Sequence, residues 1–308
     1  MSTGTAARLS VAVVGDGVVG ERLRRNLAAS YELVPADLSA DAVILTTPGP
    51  HAGVAARFLA GGTHVVSASG ALNDVRELLE LDDTARNGGV SLVVGAAVAP
   101  GLSGLLARYL SRRLDECDEL HIARHGTAGP ACAHEHHRAL NGWALGWHDG
   151  QWIERPAGSG RELCWFPEPV GARDCYRGEL ADPVLLHRSF PDVDRISARQ
   201  SATRRDRLTA RLPMLSSPHA EGGIGALRVE ARGSDATGAR ITHVVGIAEL
   251  MGTAAAAMAA AMVGVVATRV HHGGVITTSD TDVPVDTVLR SVIRHGVRLQ
   301  EFNGVPIT

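Results

Sequence analysis

Three glycines, Gly15, Gly17 and Gly20, stand at the spacing G-x-G-x-x-G directly after the apolar run Val11-Ala-Val-Val14. The run reads as a buried parallel strand, and the glycines as its turn into a helix from Val18 to about Ala29. Gly15 would make the tight turn, Gly17 would let the backbone approach a pyrophosphate, and Gly20 would let the helix pack close to the strand. Asp16 lies inside the turn, and the first-turn N–H groups at Val18 and Val19 would face the phosphates with the positive end of the helix dipole. Asp37 follows about 20 residues on, at the end of a second apolar run, where a carboxylate can accept hydrogen bonds from an adenosine ribose. No arginine stands beside it at Leu38–Asp41 to hold a 2′-phosphate, so NAD is expected as the cofactor, with NADP the alternative.

In a doubly wound sheet the reactive end of such a cofactor lies at the carboxyl ends of the strands. That nominates Thr46, Thr47 and Pro48, with His51 behind them, beneath the ribose–pyrophosphate. Ser67 and Ser69 fall near the nicotinamide ribose or amide. A group must also handle the proton. His134-Glu-His136-His137-Arg138 sits on a helix starting near Pro130, where His134 pairs along one face with His137 or with Arg138. His136 and His137 are the candidates taken from this segment, and His125, at a strand end, is a candidate substrate contact. Arg173 could clamp a carboxylate, and Asp174 or Tyr176 could relay a proton. A solvated helix face explains the histidines equally well, and a loop salt bridge the arginine cluster. H-E-H-H lacks the i, i+4 histidine pair and third ligand of a metal site, so no metal is expected.

Composition narrows the chemistry further. The net charge is −3 over 308 residues, which gives no basic field for nucleic acid or an anionic membrane. All 30 basic residues are arginine, so a lysine Schiff base and a lysine general base are excluded within these residues. Four cysteines in no C-x-x-C spacing, with no signal-peptide pattern, point to reduced thiols and a cytoplasmic protein. The uncharged stretch from Met251 to Thr268 is mostly alanine, and it reads as a helix buried in a core or at a subunit contact.

The positioning elements follow from periodicity. Strands at 41–47, 63–67 and 90–94 alternate with helices at 52–60, from Asn73 or Asp74 to Arg86, and from about Pro100 to Leu114. This is the pattern of a doubly wound parallel sheet. Only three residues separate Asp37 from the strand at Asp41, too few for a helical crossover, so this half of the fold has lost a helix and with it a possible strand. After Asp115 come a short strand at 120–123, a helix at 131–140, a turn-rich stretch at 143–161, and strands at 161–167 and 194–200. A hairpin at 226–232 and 239–248, the Ala-rich helix, a strand at 273–277 and a helix at 285–295 complete the chain. The expected division is 1–119 for dinucleotide binding, 120–250 as an α+β substrate and dimerisation domain with a mixed or antiparallel sheet, and 251–308 returning to the first domain.

With these residues in view, the chain resembles the saccharopine dehydrogenase-like oxidoreductases. The likeness rests on Gly15–Gly20, on Thr47-Pro-Gly-Pro-His51 with Ala60–Val66 and Gly95–Ala107, and on the C-terminal order of hairpin, Ala-rich helix and Gly273–Thr277. It implies a Rossmann-like domain, a substrate domain inserted after the last parallel strand, and a C-terminal segment returning to the first domain. With the glycine fingerprint and the strand–helix alternation, it leads to an expected reduction or oxidation of a C=N or C=O bond in a small carboxylate-bearing metabolite, and a homodimer is expected through the second domain's sheet or the Ala-rich helix. Where the family often has Tyr-Val-Asp followed by Gly-Glu, this chain has Val65-Val-Ser-Ala-Ser-Gly-Ala71, without the carboxylates, so the family's substrate choice does not carry over. Two other readings stay open: a Rossmann-fold binding partner without redox activity, and an enzyme that uses NAD transiently in a net non-redox transfer.

Overall fold

The computed structural model describes residues 8–37, 39–214, 217–268 and 273–302. The chain opens with β1 (Ser10–Val14), α1 (Val18–Leu27), β2 (Glu32–Leu33), β3 (Ala42–Leu45), α2 (Ala52–Ala60) and β4 (His64–Ser67). Next come α3 (Leu72–Leu79), α4 (Asp82–Asn87), β5 (Ser91–Val94) and α5 (Leu102–Ser111). With a late strand, β14 (Gly274–Thr277), these build a six-stranded parallel sheet in the order β14-β5-β4-β3-β1-β2.

Alternate residues of the central strands enter two separate cores, as a sheet covered on both faces requires. Val11, Ile44, Val66 and Val93 join Leu23 and Leu27 of α1 on one side. Ala12, Val43, Val65 and Leu92 join Phe58 and Leu59 of α2 and Val75 of α3 on the other. β2 and β3 flank β1 from opposite sides, and only residues 34–41 connect them. Among the described residues no helix crosses there, and none forms the outer strand that a complete doubly wound sheet carries beyond β2.

The second sheet is mixed. It uses β6 (Glu116–His125), β7 (Trp143–His148), β8 (Gln151–Pro156), β9 (Glu162–Trp165), β10 (Ala172–Arg177) and β11 (Arg195–Ser201). The hairpin β12 (Ile224–Ser234) and β13 (Arg240–Leu250) and the short β15 (Gln300–Glu301) complete it. Its main path runs β15-β13-β12-β6-β11-β10-β9; β6 and β11 are parallel, and the other pairs are antiparallel. β7 shares an edge of β11 with β10 and carries β8. Its helices are α6 (Pro130–Arg138), α7 (Asp182–Ser189) and α8 (Arg204–Thr209).

Several elements differ from the sequence reading. The stretch 143–161 contains a hairpin turning on Asp149 and Gly150, both at positive φ, the backbone that an Asp-Gly turn supplies. Residues 172–177 form a strand rather than a loop, and α7 was not expected. The helix expected up to Arg86 is broken into α3 and α4, and Asp74 does not cap it. Instead the buried Asp74 carboxylate accepts the N–H groups of His51 (2.8 and 2.9 Å) and Ala52 (3.1 Å) and caps α2 from outside.

The Ala-rich segment is α9 (Met251–Ala267), followed by β14 and α10 (Val285–Arg294). α9 packs against α1, α10, β3 and β4 and also against β12 and β13, so it lies between the two sheets. A helix apolar on every side belongs in a core, and alanine keeps it thin enough for both sheets to approach. Among the described residues no helix is long and apolar enough to cross a membrane.

Candidate functional site

A cleft of about 600 Å³ opens where the carboxyl ends of β1, β3 and β4 face the second sheet. Its floor is the glycine turn. Gly15 has φ +123°, and a Cβ there would lie 2.5 Å from Thr46 Oγ1. A Cβ on Gly20 would strike the Gly15 carbonyl oxygen, so Gly20 is what lets α1 sit on the turn. Gly17 has nothing within 4 Å of where its Cβ would be, and that is the open space a pyrophosphate needs. Gly17 caps α1 without a side-chain hydrogen bond, so the first-turn N–H groups, with Val18 and Val19 lining the cleft, are left to a ligand. Asp16 also lines the cleft and pairs with Arg24 at 2.9 Å.

The loops after β3 and β4 form the next wall. Thr46, Thr47, Pro48 and Ser69 line it. Thr46 Oγ1 donates to the Val14 carbonyl at 3.0 Å, which ties the loop to β1. His51 and Ser67 lie behind the wall, fully buried, and hold its shape. His51 Nε2 donates to the Thr47 carbonyl at 2.8 Å, so Nδ1 is the acceptor for the Ser67 hydroxyl, also at 2.8 Å. Ser67 Oγ in turn accepts the Ser69 N–H at 3.3 Å. The Ser69 hydroxyl itself is buried at the cleft with no partner among the described residues. A buried polar atom left unsatisfied is costly, so this hydroxyl marks a place where a polar ligand group fits.

Asp37 lies outside this volume. It is exposed at the end of the β2 edge, and its Oδ1 accepts the Ser39 N–H (2.9 Å) and hydroxyl (2.5 Å), which hold the carboxyl below the ordinary range.

The facing wall is α6, and here the structure replaces the expected residues. Cys132, His134, Glu135 and Arg138 line the cleft, at a helical spacing that puts them on one face. His136 and His137 turn the other way. His136 Nε2 donates to the Ser201 carbonyl at 2.8 Å, and burial, with Arg124 adding repulsion, pushes its pKa down to about 4. His137 is buried against Thr209 Oγ1 at 3.3 Å. His136 holds α6 to β11 of the second sheet, and His137 holds it to α8.

The same one-residue shift occurs on β6, where successive side chains point to opposite faces. Arg124 reaches the cleft, while His125 lies on the other face, bonded to Ser201 Oγ at 2.7 Å and beside Phe166. Arg124 donates to the Ala99 carbonyl (2.9 Å) and to Gln200 Oε1 (2.8 Å), so it bridges the sheets, and its buried Nε has no partner among the described residues.

Arg173, Asp174 and Tyr176 lie on β10, away from the cleft. Arg173 is exposed and, among the described residues, its side chain bonds only the Ala172 carbonyl; Asp174 pairs with Arg161 at 3.0 Å; buried Tyr176 lies under the Arg207 guanidinium, 4.2 Å from its ring centre. As a strand inside a sheet, this segment uses its polar groups on neighbours. The missed cleft residues, Arg124, Glu135 and Arg138, had one sequence signal: His134 and Arg138 lie four apart on a helix starting at Pro130.

No protein-family model matches this sequence, and no curated protein sequence is similar to it. Solved structures are similar in fold. Apo saccharopine dehydrogenase (L-Glu forming) from Saccharomyces cerevisiae superposes with a TM-score of 0.71 at 13% identity, over 96% of this chain and 100% of that one. A meso-DAPDH mutant with DAP from Clostridium tetani gives a TM-score of 0.50 at 14% identity, over 91% and 96%. The chain therefore has a Rossmann-like dehydrogenase fold. Within that class its architecture is the saccharopine dehydrogenase-like one, a six-stranded parallel sheet joined to a mixed-sheet domain.

Proposed function

We propose that this protein is an NAD(P)-dependent oxidoreductase, with NAD the expected cofactor, acting on a C=N or C=O bond of a small carboxylate-bearing metabolite. One observation carries the reading: an open glycine turn at the head of α1 faces, across one cleft, His134 and Arg138, whose side chains have no partner among the described residues. The Gly15–Val19 turn would hold the pyrophosphate, and Thr46–Pro48 with the Ser69 hydroxyl would hold the ribose and amide at the nicotinamide end. Asp37, with its Oδ2 open, would take the adenosine ribose at the sheet edge. A bound nicotinamide cofactor supplies or accepts a hydride. Arg138 would fix the substrate carboxylate, and His134 would give or take the proton at the reacting nitrogen or oxygen. Arg124 positions this wall through Ala99 and Gln200.

The test begins with titration of purified protein with NADH and NADPH, followed by nicotinamide absorbance with 2-oxo acids, with and without amines. Binding of NADH in preference to NADPH, and turnover of a carboxylate-bearing carbonyl or imine, is the expected result. Failure of either dinucleotide to bind at millimolar concentration would overturn the reading.

A further inference from the structure

We propose a second, separate anion site on the mixed sheet, built by Arg155, Arg177, Arg195 and Arg199, for a compact organic anion carrying two or more negative charges. These four arginines line one cavity of about 340 Å³ among β7, β8, β10 and β11, and none of its lining residues lines the dinucleotide cleft. Arg177 and Arg199 are direct cross-strand partners, an arrangement that puts like charges side by side at a cost to the sheet. Arg199 alone has an acidic partner, Glu162 at 2.7 Å. Among the described residues no carboxylate lies within 4 Å of Arg155, Arg177 or Arg195.

The cluster is built rather than scattered. Gly160, at φ +63°, lets the Arg177 guanidinium lie against the loop, because a Cβ there would strike it. Arg199 is fixed by Glu162 and by the Gly160 carbonyl. Burial and then the neighbouring Arg199 and Arg155 lower the Arg177 pKa, a repulsion that an anion would relieve. The floor is apolar: Leu145, Ile153, Ile196 and Trp147, whose ring is stacked on His187 with centroids 3.8 Å apart. Guanidinium groups above an apolar floor suit a phosphorylated or polycarboxylate metabolite, since arginine binds both groups through paired N–H donors.

The experiment is isothermal titration of pyrophosphate and, separately, citrate into the wild type and into Gly17→Leu, where the glycine turn is blocked. The same titrations are run on Arg155→Gln/Arg195→Gln, two exposed positions, and on Arg177→Gln. Binding that survives Gly17→Leu and weakens at least tenfold in both arginine variants is expected. A preference for pyrophosphate would identify a phosphate ester as the ligand, and a preference for citrate a polycarboxylate. Equal binding to wild type and arginine variants, or loss with Gly17→Leu, would overturn the proposal. So would absence of binding with a changed sedimentation coefficient in Arg155→Gln/Arg195→Gln, which would assign the arginines to an acidic partner surface.

Discussion

On the six-stranded side of the cleft, almost every polar side chain is engaged by the protein itself. Thr46 is tied to Val14, His51 to Thr47 and Ser67, and Asp74 to the start of α2. On the α6 side, the side chains of His134, Glu135 and Arg138 make no hydrogen bond or ion pair among the described residues. The first wall presents backbone N–H groups and space, fixed by glycines; the second presents polar side chains that the described residues leave unpaired. Backbone recognition suits a constant ligand and side-chain recognition a variable one, because the first needs a shape and the second a chemistry. Substitutions should therefore act through shape on one wall and through charge on the other.

The largest effect is expected at Gly20. Gly20→Val drives a side chain into the Gly15 carbonyl, and overpacking at a point with no room should cost about 3 kcal/mol. Urea denaturation would read this as a lower midpoint with an unchanged slope. Gly17→Leu should behave differently on the same wall. Its Cβ meets open space and its backbone is extended, so stability should stay within about 0.5 kcal/mol. Dinucleotide affinity should fall about 100-fold, or about 2.7 kcal/mol, as the leucine fills the pyrophosphate position. Loss of stability without loss of binding in Gly17→Leu would break the assignment of that wall.

These two glycines also show why this half was legible in the sequence. A strand, a turn and a helix head are specified by residues within about ten positions of one another, and local sterics dictate glycine at each bend. The six-stranded sheet followed from the same local periodicity, down to the short link after Asp37. α6 was legible as a helix but not in its rotation. Whether His134 and Arg138 or His136 and His137 face the cleft is decided by Ser201, Thr209 and Gln200, which are more than 60 residues away. β10 was misread for a similar reason: Arg173-Asp-Cys-Tyr176 carries the polar residues of a site, and only its pairing with β9 and β11 places them in a strand away from the cleft.

The rotation of α6 can be tested directly. Arg138→Gln should leave stability unchanged and lower kcat/KM about 30-fold, through loss of a charge-assisted hydrogen bond of about 2 kcal/mol. His136→Leu should do the reverse, keeping kcat/KM within about threefold while removing the donor to Ser201 O, at about 1–2 kcal/mol of stability. The pH dependence separates them further. The folded pKa of His136, about 4, lies below the ordinary histidine value of 6.5. The unfolded chain therefore binds the extra proton first as pH falls. The contribution of the neutral ring is complete above about pH 6.5 and is lost toward pH 4, amounting to about 2 kcal/mol between pH 7 and pH 5. Wild type should lose that much more stability than His136→Leu over this interval; parallel pH profiles would place the ring in water instead.

Asp37 should give the smallest effect, and it joins the comparison because it belongs to neither wall. It stands exposed at the β2 edge, where the proposed cofactor would place its adenosine and where, among the described residues, no crossover helix or outer strand covers it. Its Oδ1 is held by Ser39, which fixes the carboxylate while leaving Oδ2 for a ribose hydroxyl. Loss of one exposed hydrogen bond to a charged acceptor in Asp37→Ala should weaken NADH about tenfold. NADPH affinity should hold or rise, because the carboxylate that repels a 2′-phosphate is gone. Equal losses for both dinucleotides would show that Asp37 shapes the link between β2 and β3 rather than reading the ribose. The short crossover would then be a purely structural economy of this fold.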